Sequence, residues 1–194
     1  MTLLRADSEI VLEHGGNAVV LRPSLRAAVA LERSHDGFAN LFRRVSEFHL
    51  GTIHEIIRQA ATDRKEAIAF LQAVANLPLR RLVEITQASI ANLCLGFIPT
   101  PDPAAKPSPN AKPQPWPAFY REQFRVATGW LGWTPDQAWN ATPTEITEAF
   151  AGHIAMLKAI HGATDSDQTD NLPDPNGQLD RDGLNKLRGK GRLR

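Results

Sequence analysis

Apolar residues recur along most of this chain at spacings of three and four, but one early stretch alternates instead. That stretch is "EIVLEHGGNAVVLRP", in which two β-prone runs, 9–13 and 18–22, flank His14, Gly15, Gly16 and Asn17. Glycine adopts positive φ without steric cost, so Gly15 and Gly16 predict the tight turn of a β-hairpin. An isolated hairpin is marginal in water. It must pack on the helices that follow or pair with another chain.

Helical spacing then takes over. Leu25, Ala28, Val29 and Glu32 open a first helix that starts at Pro23 or Ser24 and ends at the "HDG" of 35–37. Phe38, Leu41, Phe42, Val45 and Phe48 form the stripe of a second. Thr52 with Glu55, and Asp63 with Glu66, read as capping boxes, whose side-chain oxygens satisfy free amides of the first turn. Ile53, Ile56, Ile57 and Ala60 follow the first box; Ile68, Leu71, Val74 and Ala75 follow the second. Pro78 suits the first position of a long helix, where its missing N–H would be unpaired anyway. The stripe of that helix is Leu79, Leu82, Val83, Thr86, Ile90, Leu93, Cys94 and Phe97. Residues 8–97 therefore read as a hairpin followed by about five helices.

The pattern breaks at "PTPDPAAKPSPNAKPQPWP", which holds eight of the fourteen prolines. Proline removes a backbone donor and fixes φ, so neither helix nor central strand persists there. Residues 98–115 are expected to be extended, in part polyproline II, with a reach of roughly 50–60 Å at about 3.1 Å per residue. The expectation is a semi-rigid linker between two modules; the alternative is a long loop draped over one domain.

Beyond it, helical spacing returns over residues 116–161. Trp116, Phe119, Tyr120, Gln123, Phe124, Ala127, Trp130 and Leu131 make one helix. Thr134, Pro135 and Gln137, then Thr142, Pro143 and Glu145, twice repeat the same start: N-cap, proline at N1, and glutamine or glutamate at N3. Trp133 stands where an apolar side chain can staple the turn. Ile146, Ala149, Phe150, Ile154, Leu157 and Ile160 mark the last helix, so three helices are expected, the middle one short. Residues 162–194 lose apolar content, turn-rich and acidic first and basic at the end, and are expected to be disordered. The fold class is thus mainly α with an N-terminal β-hairpin, in two small helical modules joined by a Pro-rich linker.

Composition narrows the function. The 194 residues carry 22 Lys and Arg against 21 Asp and Glu, which argues against a whole-protein electrostatic partner such as duplex DNA. Cys94 is the sole cysteine, so no disulfide forms within the chain, as fits a reducing cytosol. The opening residues lack an apolar core of signal-peptide length, and no stretch approaches 18 apolar residues in a row. A cytoplasmic location is expected.

No active site is evident, so catalytic residues, cofactor and metal are all expected to be absent. His49 and His54 stand five apart across Gly51, and one helix would not align them. Ser34, His35 and Asp36 have the residue types of a hydrolase triad, but adjacency counts against triad geometry. Cys94 lies on the apolar stripe and reads as core. "GKGR" at 189–192 has no strand–loop–helix setting of a P-loop. "DSDQTD" at 165–170 fails as a calcium loop, lacking glycine at the sixth position and glutamate at the twelfth.

The strongest anomaly is aromatic. All four tryptophans lie between 116 and 139, and the 46 residues 116–161 also hold three phenylalanines and the sole tyrosine. Each such side chain carries about 150–250 Å² to be buried. A three-helix unit of that size cannot cover them all. Partly exposed tryptophans are frequent interface anchors. Trp116, Phe119, Tyr120, Phe124, Trp130, Trp133 and Trp139 are the candidate protein-contact residues, with Trp116, Phe124 and Trp130 on or near the inward stripe.

The segment "WPAFYREQFRVATGWLGWTPDQAWNATPTEITEAFAG" resembles the short tail assembly chaperone family of long-tailed phages and phage-like gene transfer agents. The likeness rests on Trp116 and Pro117, the Gly-x-Leu-Gly-Trp-x-Pro-Asp-x-x-Trp core from Gly129 to Trp139, and the Thr-Pro-x-Glu start at Thr142 to Glu145. The hairpin passing into "VVLRPSLRAAVALERSHDGFANLF" is similar, less distinctively, to the companion family encoded just upstream in such clusters. The resemblance implies a non-enzymatic chaperone of the producing cell, absent from the finished particle. It implies that the first module binds the tape measure protein and that the tryptophan-rich module recruits the major tail tube protein. Two other readings are a structural minor tail or connector protein retained in the particle, and a regulator that binds nucleic acid through its basic end.

Overall fold

In the computed structural model of the chain, residues 9–99 and 114–161 are described. The expected polyproline run lies outside them except at its ends, as do the acidic and basic stretches beyond 161 and the rejected calcium and phosphate motifs. The fold is mainly helical with an N-terminal two-stranded antiparallel hairpin. The strands are β1 (Ile10–His14) and β2 (Asn17–Leu21). The first five helices are α1 (Leu25–Ser34), α2 (Phe38–Ser46), α3 (Leu50–Ala60), α4 (Arg64–Val74) and α5 (Leu79–Leu95). After the proline-rich stretch come α6 (Trp116–Arg125), a π-helical turn (Val126–Trp130), α7 (Pro135–Asn140) and α8 (Pro143–His161).

Gly15 and Gly16 have φ of 57° and 76°, the two positive values a type I′ turn requires. They set Leu12 opposite Val19 and His14 opposite Asn17. Leu12, Val19 and Leu21 face the core. The far edge of β2 is covered by the α3–α4 connection: Leu21 pairs with Ala61, Thr62 N donates to Val20 O (2.9 Å), and Arg22 N donates to Ala60 O (2.8 Å). The hairpin thus packs on the helices of its own chain, chiefly α4 and α5.

Ser24 caps α1, its hydroxyl accepting from Ala27 N at 3.2 Å. Asp36 and Gly37, with φ of 55° and 107°, turn the chain into α2. Phe48, at φ 51°, lies past the end of α2 rather than within it. The expected box at Thr52 and Glu55 does not form. His49 caps α3 instead, Nδ1 accepting from Thr52 N at 3.4 Å, so Thr52 already sits inside the first turn. In α4 the buried stripe is Ala67, Phe70, Leu71 and Val74. Ile68 points outward at 46 % exposure, one step off the stripe assigned to it. Likewise Leu79 is 59 % exposed, and the stripe of α5 begins at Leu82.

The spatial separation expected across residues 98–115 is not found. The described residues up to Ala155 belong to one compact unit, and the division falls inside α8, before Met156. A single hydrophobic core runs from Leu12 to Phe97 and continues through Tyr120, Ala127, Ala138, Ala141 and Ile146. The surplus apolar surface is real, and much of it is hidden against the same chain. Helices α6 and α7 both pack on α1.

Candidate functional site

The aromatic segment is placed by three anchors. The first is a ring cluster. Trp116 meets Phe38 edge-on (centroids 5.2 Å apart, 79°) and stacks on Tyr120 (6.0 Å, 25°). Phe38 in turn touches Phe97 at 6.1 Å. Edge-to-face and offset-stacked pairs are favourable beyond the area they bury. Tyr120 is 1 % exposed, and its hydroxyl donates to Phe97 O at 2.9 Å. Burial, with the nearby Glu32 charge adding to it, pushes its phenol well above the usual range.

The second anchor is Arg22, just after β2. Its Nη2 donates to both carboxylate oxygens of Glu145 (2.6 and 2.8 Å), its Nε donates to Asn140 O (3.0 Å), and its Nη1 donates to Glu9 (3.0 Å). Both contacts to Glu145 come from one nitrogen, and the opposite charges make them short and strong. Glu145 simultaneously completes the second capping box: Thr142 N donates to Oε2 at 2.9 Å, and Glu145 N donates to Thr142 Oγ1 at 3.1 Å.

The third anchor is backbone to backbone. Leu25 N, a first-turn amide of α1 with no partner in its own helix, donates to Ala141 O at 2.8 Å. The connection between α7 and α8 therefore finishes the start of α1. The box at the head of α7 forms as expected, with Thr134 N donating to Gln137 Oε1 (2.9 Å) and Gln137 N donating to Thr134 Oγ1 (3.3 Å).

These anchors sort the candidate contact residues. Tyr120 is corrected to a core residue, because its ring and hydroxyl are enclosed by the first segment. Trp116 and Phe119 are half-buried in the same cluster. Phe124 and Trp139 are half-buried and pack against each other at 4.7 Å. With Val29, Arg33, Pro117 and Arg121 they line a cavity of about 490 Å³ between α1 and α6, within the size range of ligand clefts. Trp133 is half-buried, and its backbone N–H donates to Ala127 O at 3.0 Å.

Trp130 differs from the rest. Expected on the inward stripe, it is 61 % exposed. The cause is the π-helical turn, in which Leu131 N donates to Val126 O, five residues back, at 3.1 Å. The extra residue rotates everything after Ala127 off the α-helical face. Such turns are frequent at functional sites. Trp130 meets Phe150 of α8 edge-on at 6.4 Å, so the two rings form an aromatic patch on the surface. Phe150 and the Arg22 anchor were not among the sequence candidates. Phe150 carries only the helical spacing of a core residue, and Arg22 has no local signal at all.

The residues considered for chemistry hold structural positions. Ser34 Oγ lies 3.0 Å from Nδ1 of its neighbour His35. That nitrogen also lies 3.1 Å from Leu31 O, and Nε2 lies 3.3 Å from Thr52 Oγ1, so the buried ring ties the end of α1 to α3. His54 is held below its usual range by burial and then by the Arg58 charge. Cys94 is buried, and desolvation pushes its thiol up to about 12. Among the described residues no three His, Cys, Asp or Glu side chains are grouped to hold a metal ion. None of the described helices is long and apolar enough to cross a membrane. Set against known proteins, the chain matches no family model, no curated protein and no solved structure.

Proposed function

We propose that this chain is a tail assembly chaperone of a phage or gene transfer agent, which holds tape measure protein and brings in tail tube subunits without performing chemistry. The observation that carries the proposal is the Trp-Pro, Gly-x-Leu-Gly-Trp-x-Pro-Asp-x-x-Trp and Thr-Pro-x-Glu series between Trp116 and Glu145, the part of the chain that most resembles that family. Its physical support is Trp130. Most of the aromatic segment is taken up inside the chain, whereas Trp130 stands out at 61 % exposure beside Phe150. Tryptophan is among the residues enriched at the hot spots of protein interfaces. On this reading the protein acts in the cytoplasm of the producing cell and leaves before the particle is complete.

The test is co-purification of the full chain with the tape measure and tail tube proteins of its own genome. Capture of at least one is expected. Trp130→Ala should weaken capture of the tube protein about tenfold or more, the scale of a hot-spot truncation, while leaving the melting temperature within a degree or two. Binding to neither protein would overturn the proposal. Stoichiometric recovery of the chain from purified particles would favour a structural tail subunit instead.

A further inference from the structure

We draw no further inference here: the strongest candidate, the aromatic surface patch that Trp130 of the π-helical turn forms with Phe150 of α8, carries nothing beyond the proposal above because nothing in the structure shows what covers it.

Discussion

Tyr120 meets two needs with one side chain. Its ring packs against both Phe38 and Trp116, and its hydroxyl satisfies the carbonyl of Phe97 just beyond α5. Tyr120→Phe keeps the ring and leaves that buried carbonyl unpaired. A loss of about 1–2 kcal/mol is expected in urea unfolding, the usual cost of stranding one buried hydrogen-bonding group. Cys94 offers a second check at this scale. The thiolate is the reactive form, and a thiol held near 12 has almost none of it at pH 8. A disulfide reagent should therefore react with the native protein only as fast as it unfolds, and promptly in denaturant. Rapid labelling of the folded chain would show that the side chain is not enclosed. The sequence makes Cys94 legible as core because it lies on a helical stripe with Ile90, Leu93 and Phe97. The outward turn of Trp130 is not legible in the same way. Helical spacing presumes a constant number of residues per turn, and no single residue in "VATGW" announces the extra one.

Among the elements, the informative contrast is between the two boxes that form and the two that do not; Asp63 caps α4 by accepting from Lys65 N at 2.6 Å, without a reciprocal bond from Glu66. Thr134 with Gln137, and Thr142 with Glu145, make the reciprocal bonds their spacing predicts, each with proline at N1 to fix the start. Thr52 and Glu55 have the same spacing without a proline, and His49 takes the cap three residues earlier. A capping pattern is thus decisive only where something else pins the first residue. Glu145 combines two roles that substitution can separate. Glu145→Gln retains an acceptor for the box but loses the charge opposite Arg22. With the two side chains 23 % and 37 % exposed, that loss should stay below about 1 kcal/mol. Glu145→Ala also removes the acceptor of Thr142 N, one of the two bonds of the box, and should cost about 1 kcal/mol more. Equal losses for the two variants, measured by chemical denaturation, would mean that the bond from Thr142 N to the residue 145 side chain contributes nothing. A close approach gives another expectation. A Cβ at Gly96 would lie 2.7 Å from Pro23 Cγ, where the end of α5 meets the entry to α1. Gly96→Ala should cost about 1–3 kcal/mol through overpacking and lower the melting temperature accordingly.

At the level of the whole molecule, the described residues up to Ala155 form one core from two stretches of chain. The aromatic surplus of residues 116–161 was legible, because composition alone shows more apolar surface than so short a segment can hide. Where it goes was not. Arg22 and Glu145 stand 123 residues apart, and no local pattern links them. Nor does any pattern reveal that Ala141 accepts from Leu25. The shared core makes a specific thermodynamic expectation. The four tryptophans all lie at 116–139, whereas most of the remaining described helix lies before residue 97. Tryptophan fluorescence therefore reports the later stretch, and far-ultraviolet dichroism chiefly the earlier one. The two signals should follow one denaturation curve, as a two-state unit requires. Midpoints that differ by more than experimental error would mean that the stretches melt independently.

The bond from Tyr120 to Phe97 has one more implication, for the stretch of prolines between its two ends. Contacts among the described residues on either side already fasten the two stretches to each other. Doubling the length of a flexible connection costs only about 0.6 kcal/mol of closure entropy. A specific protease site inserted there and then cut should leave two polypeptides that still travel together through a sizing column, held by rings, an arginine–carboxylate contact and one shared amide.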